Sequence, residues 1–355
     1  MLVQTHFPQK LSPKRYDQYL ASGWFRGSIM LYKMDLLCLE SSLYSVINIR
    51  MNLEKHENKK RLRRILKKGK ENFRIEVGPV YLTEDKERLY NIQKAKFHGF
   101  IHKSLHDFLY SGFQNTVFDT YEVCVYDDEK LIAASYFDLG EQSTASLLGT
   151  IDPKYSSYSL GILTMLIEVE FSKNNGFKWY YPGYVLKNHS GFDYKLRIGD
   201  FEYYNAKKRW CKLTEKGVEE DLISQAEEKY DLLVDLLNKK GISNKKWLYP
   251  YFGIGYMNMW DVSFVQLPIL IEICKSKEGQ TMFLGYDLDA KNYILFWAEH
   301  AKGHEHLVNM SLSENMRTNK KFLLNLMRYS NVISRTEDMN RIIKITTDSL
   351  DEINF

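Results

Sequence analysis

The stretch that decides the fold is residues 146–204, which read SLLGTIDPKYSSYSLGILTMLIEVEFSKNNGFKWYYPGYVLKNHSGFDYKLRIGDFEYY. Its patterns predict a strand over 144–151, a helix over 158–174, a short aromatic strand over 178–181 and a strand over 200–211. We expect Ser157 or Ser159 to cap the helix and Gly176 to follow its end. A hairpin predicted upstream, over 121–127 and 130–137, completes the order β-β-β-α-β-loop-β, which indicates a mixed α/β sheet.

The rest of the chain also carries helix and strand patterns. Helices are predicted over 12–22, 53–69, 84–97, 103–110, 213–240 and 312–330, and strands over 24–32, 44–51, 267–276, 281–299 (with a turn at 287–290) and 341–347. Gly69 is expected to end the second helix. We divide the chain into an N-terminal region 1–115, a domain 116–212, a connecting helix 213–245 and a small α+β domain 246–355.

The composition indicates a chain with hydrophobic cores and without a membrane span. Of 355 residues, 44% are hydrophobic, and no run approaches the roughly 18 apolar residues of a transmembrane helix. The first residues lack the apolar core of a signal peptide. The four cysteines (Cys38, Cys124, Cys211 and Cys274) are far apart and show no CxxC spacing. We therefore expect a reducing, cytoplasmic compartment.

Three motifs in the second half of the chain occur together and in order. They are Ser159-Leu160-Gly161, the aromatic run from Tyr180 through Pro182-Gly183 to Tyr184, and Tyr194-Lys195. This arrangement resembles the C-terminal half of the arginyl-tRNA–protein transferases and their bacterial leucyl-transferring relatives. Residues 16–26, 58–64 and 102–109 are similar to the family's opening helix, basic helix and His-containing helix. The resemblance covers roughly residues 10–212, and the remaining chain has no counterpart in it.

The resemblance implies both a fold and an activity. The fold is α/β (α+β): a GNAT-like acyl-CoA N-acyltransferase fold in 116–212, with an N-terminal arginyltransferase-like α/β region and a C-terminal α+β appendage. The activity is transfer of arginine or leucine from an aminoacyl-tRNA donor to the N-terminal amine of a protein or peptide. An aminoacyl ester is already activated, so the enzyme mainly holds it beside a neutral amine and stabilises the oxyanion. No Ser-His-Asp set is required for that chemistry.

The start of the predicted helix 158–174 is the first candidate site. Backbone N–H groups of Ser159, Leu160 and Gly161 are free at a helix start and attract a phosphate or an oxyanion. The functional interpretation is that they hold the terminal adenosine of tRNA. An ordinary capped helix, with Gly161 allowing close packing, is the alternative.

The aromatic run and the Tyr-Lys pair supply further candidates. Tyr181, Gly183 and Tyr184 are expected to line the channel for the acceptor end of tRNA, where bases stack on aromatic rings. A buried aromatic strand is the alternative. Lys195, beside Tyr194, is expected to contact phosphate or position the ester carbonyl; a solvated lysine next to Arg197 is the other possibility. Tyr184, Tyr194 and Lys195 are our catalytic candidates.

Three more residues are candidates for substrate binding. By resemblance, Asp138 faces the side chain of the transferred amino acid; it is otherwise a turn residue before Gly140. Arg26 belongs to the strand motif, although Arg26-Gly27-Ser28 departs from the family's Arg-Arg-Ser-Gly. His98, His102 and His106 recur at helical spacing, which fits a metal site, proton transfer or a surface row. In its family context, His102 touches an acidic N-terminal residue of the acceptor.

The charge of the chain is concentrated in one segment. The net charge of +4 decides little, but nine of the sixteen residues 55–70 are Lys or Arg. Lys59, Lys60, Arg61, Arg63 and Arg64 are our candidates for contacting the tRNA backbone, with binding that weakens as salt rises. A solvated helix face is the alternative.

One departure from the family concerns metals. Family members carry a cysteine cluster just after the first strand, proposed to hold a metal or an iron–sulfur centre, whereas residues 34–42 contain only Cys38. One thiol cannot form a site with three or four cysteine ligands. We therefore predict no metal and no cofactor.

Two other functions stay open at this stage. One is an acetyl-CoA-dependent N-acetyltransferase on the same fold, which residues 154–161 (KYSSYSLG) disfavour because they lack the glycine spacing of a pyrophosphate loop. The other is a non-catalytic relative that binds tRNA or a peptide, which the missing cysteines favour and the retained motifs oppose.

Overall fold

The computed structural model describes residues 2–39, 42–94, 102–214, 222–257, 261–308 and 314–353. The helices are α1 (Pro13–Ala21), α2 (Lys60–Asn72), α3 (Glu84–Lys94), α4 (Leu105–Tyr110), α5 (Leu160–Asn174), α6 (Leu222–Lys239), α7 (Glu314–Thr318) and α8 (Met339–Ile353). Short 3-10 segments cover Pro153–Tyr158, Ser190–Ile198, Pro250–Tyr256 and Glu305–Val308. Within these described ranges, no helix combines the length and apolar character needed to cross a bilayer.

The strands follow in chain order. They are β1 (Val3–His6), β2 (Phe25–Gly27), β3 (Met30–Met34), β4 (Leu36–Leu39), β5 (Ser42–Asn52), β6 (Arg74–Pro79), β7 (Asp119–Asp127), β8 (Lys130–Leu139), β9 (Ser143–Ile151), β10 (Trp179–Tyr181), β11 (Tyr184–Leu186), β12 (Glu202–Tyr204), β13 (Trp210–Lys212), β14 (Lys245–Leu248), β15 (Ile269–Lys275), β16 (Thr281–Asp287), β17 (Asn292–His300) and β18 (Met327–Thr336). Several predictions lie outside the described residues: His98, helix residues 95–97 and 312–313, and residues 215–221 of the predicted helix 213–240.

Ten strands form the central sheet. Its order is β13-β12-β5-β10-β9-β8-β7-β6, and β4 and β11 also pair with β5. β9 and β10 are parallel, with α5 as the crossover between them, whereas the other pairs are antiparallel. The predicted α/β class and the order β-β-β-α-β over residues 119–181 are therefore confirmed, and with them the GNAT-like arrangement.

The central sheet opens between β9 and its parallel neighbour. β10 pairs with β9 only as far as Tyr181 opposite Ala145. The chain then passes Pro182-Gly183 and continues as β11, which stays hydrogen-bonded to β5 with Tyr184 opposite Asn48. Among the described residues, no strand pairs with this side of β9 beyond Ala145. A cleft between β9 and β11 results.

Helices cover both faces of this sheet. α5 is apolar all round, with nine buried residues, because it lies between the sheet on one side and α2 on the other. α3 packs against β8 and β9 on the opposite face. The prediction that Gly69 ends α2 is wrong, because Gly69 lies inside the helix. A Cβ at this position would come within 2.5 Å of Leu163 Cδ1. The lack of a side chain at Gly69 lets α2 approach α5.

The C-terminal part forms a second, antiparallel sheet in the order β14-β15-β16-β17-β18. Its core includes α6 and α8 together with Leu2 and Val3 of β1, Leu36 of β4 and Leu43 of β5. The backbone N–H of Leu2 also donates to Asp289 Oδ2 at 2.9 Å. The start of the chain thus shares a core with its end, and β5 and β6 from the first 115 residues join the central sheet. The four-part division of the chain stays a prediction.

Three predicted elements have different boundaries in the structure. The strand expected over 24–32 is two strands, β2 and β3, because Ser28 at φ 55° turns the chain. The strand expected over 200–211 is likewise a hairpin of β12 and β13, with Lys208 at φ 58° in its turn. The basic helix begins at Lys60 rather than at 53, since Asn52 Oδ1 accepts the N–H of Lys55 and forms a turn instead.

Two predictions near the C-terminus were wrong in type. Of the described residues in the helix expected over 312–330, only Glu314–Thr318 are helical, and from Met327 the chain pairs with β17 as strand β18. The strand expected over 341–347 lies inside helix α8. Ile342, Ile343 and Thr346 bury one helical face there, and Asp338 Oδ1 accepts the N–H of Asn340 at 2.8 Å and so caps the helix. Tertiary burial outweighs the β-propensity of this branched segment.

Candidate active site in the cleft of the central sheet

A cavity of about 640 Å³ fills the cleft between β9 and β11. Its walls are residues 146–149 and Ile151 of β9, the inner face of α5, the turn before β11 and the 3-10 segment Ser190–Ile198. Eight predicted site residues line it: Arg26, His102, Gly161, Tyr181, Gly183, Tyr184, Tyr194 and Lys195. Its size is that of a pocket for a small molecule or the end of a larger one. Residues 110 or more positions apart in sequence thus meet at one site.

The start of α5 opens onto this cavity through Gly161. Ser159 is the N-cap residue of α5, which confirms one of the two predicted positions; it adopts the left-handed conformation (φ 56°, ψ 42°), and its hydroxyl forms no capping hydrogen bond. Its carbonyl accepts the first helical N–H groups, those of Ile162 and Leu163. Leu160 is buried in the core, whereas a Cβ on Gly161 would meet nothing within 4 Å. The N–H groups of Leu160 and Gly161 precede the first intrahelical bonds.

Lys195 reaches the cavity from the 3-10 segment. Its Nζ donates to the carbonyl of Tyr184 at 3.0 Å and lies 5.3 Å and 5.4 Å from the ring centres of Tyr184 and Phe192. Burial lowers the pKa of its ammonium group to about 8. Gly183 explains how the ammonium fits: its φ is +90°, and a Cβ there would lie 3.3 Å from Lys195 Nζ. Both the backbone angle and the space favour glycine at this position.

The tyrosines of the site differ in environment. Tyr184 packs against Phe25 and Phe192, with ring centres 5.3 Å and 5.4 Å away, and burial raises the pKa of its hydroxyl. Tyr181 is buried against Trp210. Tyr194 is 43% exposed, so its ring lies at the mouth of the cavity.

Arg26 and Asp138 form a buried ion pair beside the cavity. Arg26 Nη1 lies 2.6 Å from Asp138 Oδ1, and neither side chain is more than 1% exposed. Thr120 and Tyr16 also donate to the Asp138 carboxylate, at 2.7 Å and 3.1 Å. Burial raises the pKa of Asp138, and the nearby guanidinium opposes this rise. Asp138 is thus enclosed by protein and faces the cavity only through Arg26 and Tyr16, both of which line it.

The two described histidines of the predicted row do not lie on one helix. α4 begins at Leu105, so His102 precedes this helix and shares no helical face with His106. His102 packs edge-on against Phe108, with ring centres 5.5 Å apart, and burial lowers its pKa, so the neutral ring is favoured. In the described part of the chain, no group of three or more His, Cys, Asp or Glu side chains has the arrangement of a metal site.

The sequence analysis missed Glu168, which lies on the inner face of α5 and lines the cavity. Its carboxyl is fully buried, and Oε2 accepts a hydrogen bond from the Tyr180 hydroxyl at 2.7 Å. Burial raises the pKa of this carboxyl to about 7, although nearby hydroxyls of Ser135, Tyr180 and Ser146 oppose the rise. An acidic residue in the otherwise apolar run LTMLIEV was the available signal.

The basic helix α2 lies outside the cavity, beside α5. Arg61, Arg63 and Arg64 are exposed, and none forms an ion pair with a described residue. Lys59 and Lys60 are also exposed, with Lys59 Nζ 3.4 Å from Asp200. At the other end of α2, Lys68 Nζ lies 4.3 Å above the ring of Tyr158, the residue before Ser159. The basic surface therefore reaches the start of α5.

Comparisons with known proteins agree with these observations. The family described as "Arginine-tRNA-protein transferase, C terminus" matches residues 80–205. The chain is 27% identical over 207 residues to an aspartate/glutamate leucyltransferase of Helicobacter hepaticus, covering 55% of this chain and 80% of that protein. It is 25% identical over 194 residues to that of Leptospira interrogans, covering 53% and 74%.

Solved structures also match the chain. They include L-PGS from Bacillus licheniformis (12% identity, TM-score 0.29, 42% of this chain) and a GCN5-related N-acetyltransferase from Kribbella flavida (13%, TM-score 0.24, 43%). The chain spans about half the length of these structures, 50% and 56%.

The parallel β9–α5–β10 crossover with its cleft defines an α/β domain of the GNAT-like class. Within that class, residues 80–205 match the arginine-tRNA-protein transferase family, and the two relatives are leucyltransferases, which supports the resemblance that the three motifs suggested.

Proposed function

We propose that this chain is an aminoacyltransferase that moves leucine or arginine from aminoacyl-tRNA to the N-terminal amine of a protein or peptide. The observation that carries the proposal is the cleft: the start of α5, the Gly183 turn and Lys195 line one cavity within the region that matches the transferase family. Four free cysteines suit a reducing, cytoplasmic compartment for such an enzyme.

The cavity supplies what an activated ester requires. The first N–H groups of α5 carry partial positive charge and belong to the helical turn from which Gly161 lines the cavity. The Lys195 ammonium adds a full charge in a partly desolvated place, where it stabilises an oxyanion more strongly than in water. We assign the terminal adenosine to the start of α5 and the ester carbonyl to Lys195, with Tyr181 and Tyr184 as the walls of the channel.

We assign the body of the tRNA to the basic surface next to this channel. The exposed arginines of α2 and Lys68 near Tyr158 extend the positive surface towards the start of α5. Phosphate contacts from such side chains position a nucleic acid without reading its sequence. We therefore assign Lys59, Lys60, Arg61, Arg63 and Arg64 to the tRNA backbone.

The identities of donor and acceptor come from the relatives. Both relatives are named as leucyltransferases acting with aspartate and glutamate, so leucine is the first donor to test and arginine the second. The first acceptors to test are peptides that begin with Asp or Glu. His102 is held mainly neutral, so we expect its ring to donate a hydrogen bond to an acidic acceptor side chain rather than to form an ion pair.

A transfer assay tests the proposal directly. Radiolabelled leucine or arginine on tRNA is mixed with the protein and with peptides that begin with Asp, Glu or Ala. We expect label on the Asp and Glu peptides, and its loss by at least about 100-fold in Lys195→Met. Arg197→Met is the matched control, because Arg197 belongs to the same 3-10 segment but does not line the cavity. Absence of transfer from both charged tRNAs to every peptide would refute the proposal.

A further inference from the structure

Glu168 leaves one carboxylate oxygen unpaired on the cavity wall. The side chain is 0% exposed, and Oε1 makes no hydrogen bond, while Oε2 is held by the Tyr180 hydroxyl. Buried polar atoms nearly always have partners, so an unpaired carboxylate oxygen on a residue that lines a cavity points to a ligand with hydrogen-bond donors. Burial also raises the pKa of this carboxyl to about 7, so that it exchanges a proton near neutral pH.

The neighbours of Glu168 strengthen this indication. Gln93 Oε1 is also buried and makes no hydrogen bond, and Gln93 lines the same cavity. Two unpaired oxygens thus belong to residues of one cavity wall. Among the described residues, Glu168 has no ion pair, and Lys195 on the same cavity does not contribute to the pKa shift of Glu168. The charge that complements this wall must therefore come from a substrate, and an ammonium group offers three donors and a positive charge.

We propose that Glu168 receives the ammonium group of the acceptor's N-terminus and takes its proton, acting as the catalytic base of the transfer. This role rests on the proposed function. An N-terminal ammonium ion has no lone pair with which to attack an ester, so it must first lose a proton. Glu168 accepts this proton, whereas Lys195 stabilises the oxyanion.

Two proton transfers accompany the reaction. Glu168 Oε1 accepts one proton from the ammonium, and the neutral amine forms the N–C bond to the ester carbonyl. The C–O bond to the ribose then breaks, and its oxygen receives a second proton from the attacking nitrogen. The products are an amide, a free ribose hydroxyl and a protonated Glu168, which releases its proton to water before the next cycle. Tyr180 orients the carboxyl throughout, through its hydrogen bond to Oε2.

Glu168→Gln tests the role because it keeps the shape and the Tyr180 contact but removes the base. Glu170→Gln is the matched control, on the same helix but paired with Lys70 at the surface. The assay measures single-turnover transfer from charged tRNA as acceptor concentration and pH are varied. We expect kcat/KM for the acceptor to fall at least about 100-fold at pH 7, with the KM for charged tRNA unchanged and the control at wild-type rate.

The pH profile separates a base from a residue that only shapes the cavity. The wild-type rate should level off above the titration of Glu168 near pH 7. The Gln variant should keep rising through about pH 8, where the free amine forms without help. A loss below about fivefold at pH 7, or an equal loss at every pH, overturns the proposal.

Two further outcomes have distinct meanings. A raised KM for charged tRNA, with acceptor kinetics unchanged, assigns the bound ammonium to the donor amino acid and overturns the role of base for the acceptor. Absence of transfer in the wild-type protein refutes the proposed function and this role with it, whereas an active wild type with an unaffected Gln variant refutes this role alone.

Discussion

Replacing Lys195 by methionine should raise the stability of the folded protein at pH 7 while it abolishes transfer. The ammonium is held in a partly desolvated place, with its pKa lowered from an ordinary 10.5 to about 8 by burial. Desolvation disfavours the charged form, so at pH 7 the folded protein carries the cost of keeping Lys195 protonated. A residue that stabilises an oxyanion is useful for this reason, but it weakens the fold.

The size of the effect follows from the pKa. A tenfold change in a protonation equilibrium corresponds to about 1.4 kcal/mol, which gives at most about 3.5 kcal/mol for the lowered pKa of Lys195. Because the side chain is only half-buried, screening by solvent reduces this, and we expect about 1 to 3 kcal/mol. Loss of the hydrogen bond from Nζ to the Tyr184 carbonyl costs Lys195→Met about 1 kcal/mol, and this cost does not depend on pH.

The sign of the pH dependence is fixed by the lowered pKa. Below about pH 8, Lys195 is protonated in both the folded and unfolded states, and its destabilising effect is complete. Between about 8 and 10.5, the folded state releases the proton while the unfolded state keeps it, so wild-type stability rises relative to the Met variant. The Met variant should therefore have its greatest relative stability at pH 7.

Urea unfolding of wild type, Lys195→Met and Arg197→Met at intervals from pH 7 to 10.5 measures this difference. Wild type should have a lower free energy of unfolding than Lys195→Met at pH 7, and we expect this difference to shrink by about 1 to 3 kcal/mol over that range. The difference between wild type and the control Arg197→Met should stay constant. A difference between wild type and Lys195→Met that does not change with pH would refute the reasoning about desolvation. Retention of transfer by Lys195→Met would remove Lys195 from the site.

Three other predictions concern the ion pair, the basic helix and the competing cofactor. Asp138→Asn leaves the Arg26 guanidinium buried without its counter-ion and should lower the free energy of unfolding in urea by about 3–5 kcal/mol. Glu299→Gln, in a pair nearer the surface, should cost less than about 1 kcal/mol. Equal costs would contradict the conclusion that burial makes the Arg26–Asp138 pair important for stability. Changing Arg61, Arg63 and Arg64 to Glu should weaken tRNA binding and reduce the slope of log affinity against log salt by up to about 3, and an unaltered slope would mean that the run is only solvated. Acetyl-CoA should give no thermal shift, and a clear shift would favour the N-acetyltransferase alternative.

The sequence by itself determined the elements whose pattern is local. The run from Ser143 to Tyr181 encodes a strand, an apolar helix and an aromatic strand, and Gly176 at φ +76° follows the helix as predicted. The three motifs around this run also indicated the transferase family whose model matches residues 80–205. These features depend on neighbours within a few residues, so the sequence is enough to read them.

The sequence misled where distant contacts decide the conformation. Residues 341–347 are rich in β-branched side chains but form a helix, because Ile342, Ile343 and Thr346 bury one helical face in the C-terminal core. Gly69 looked like a helix end and is instead the point where α2 touches α5. In both cases, packing against a segment far away in sequence outweighs a local preference.

The site itself needed the tertiary structure. The motifs named Gly161, Gly183 and Lys195, but only the parting of β9 from β11 puts them on one cavity. Glu168 carried no motif, and its chemistry comes from burial beside that cavity, which a sequence does not encode locally. Desolvation depends on what surrounds a group in space, so the sequence indicated a resemblance to a family, while the fold decided which candidate side chains lie together on one cavity.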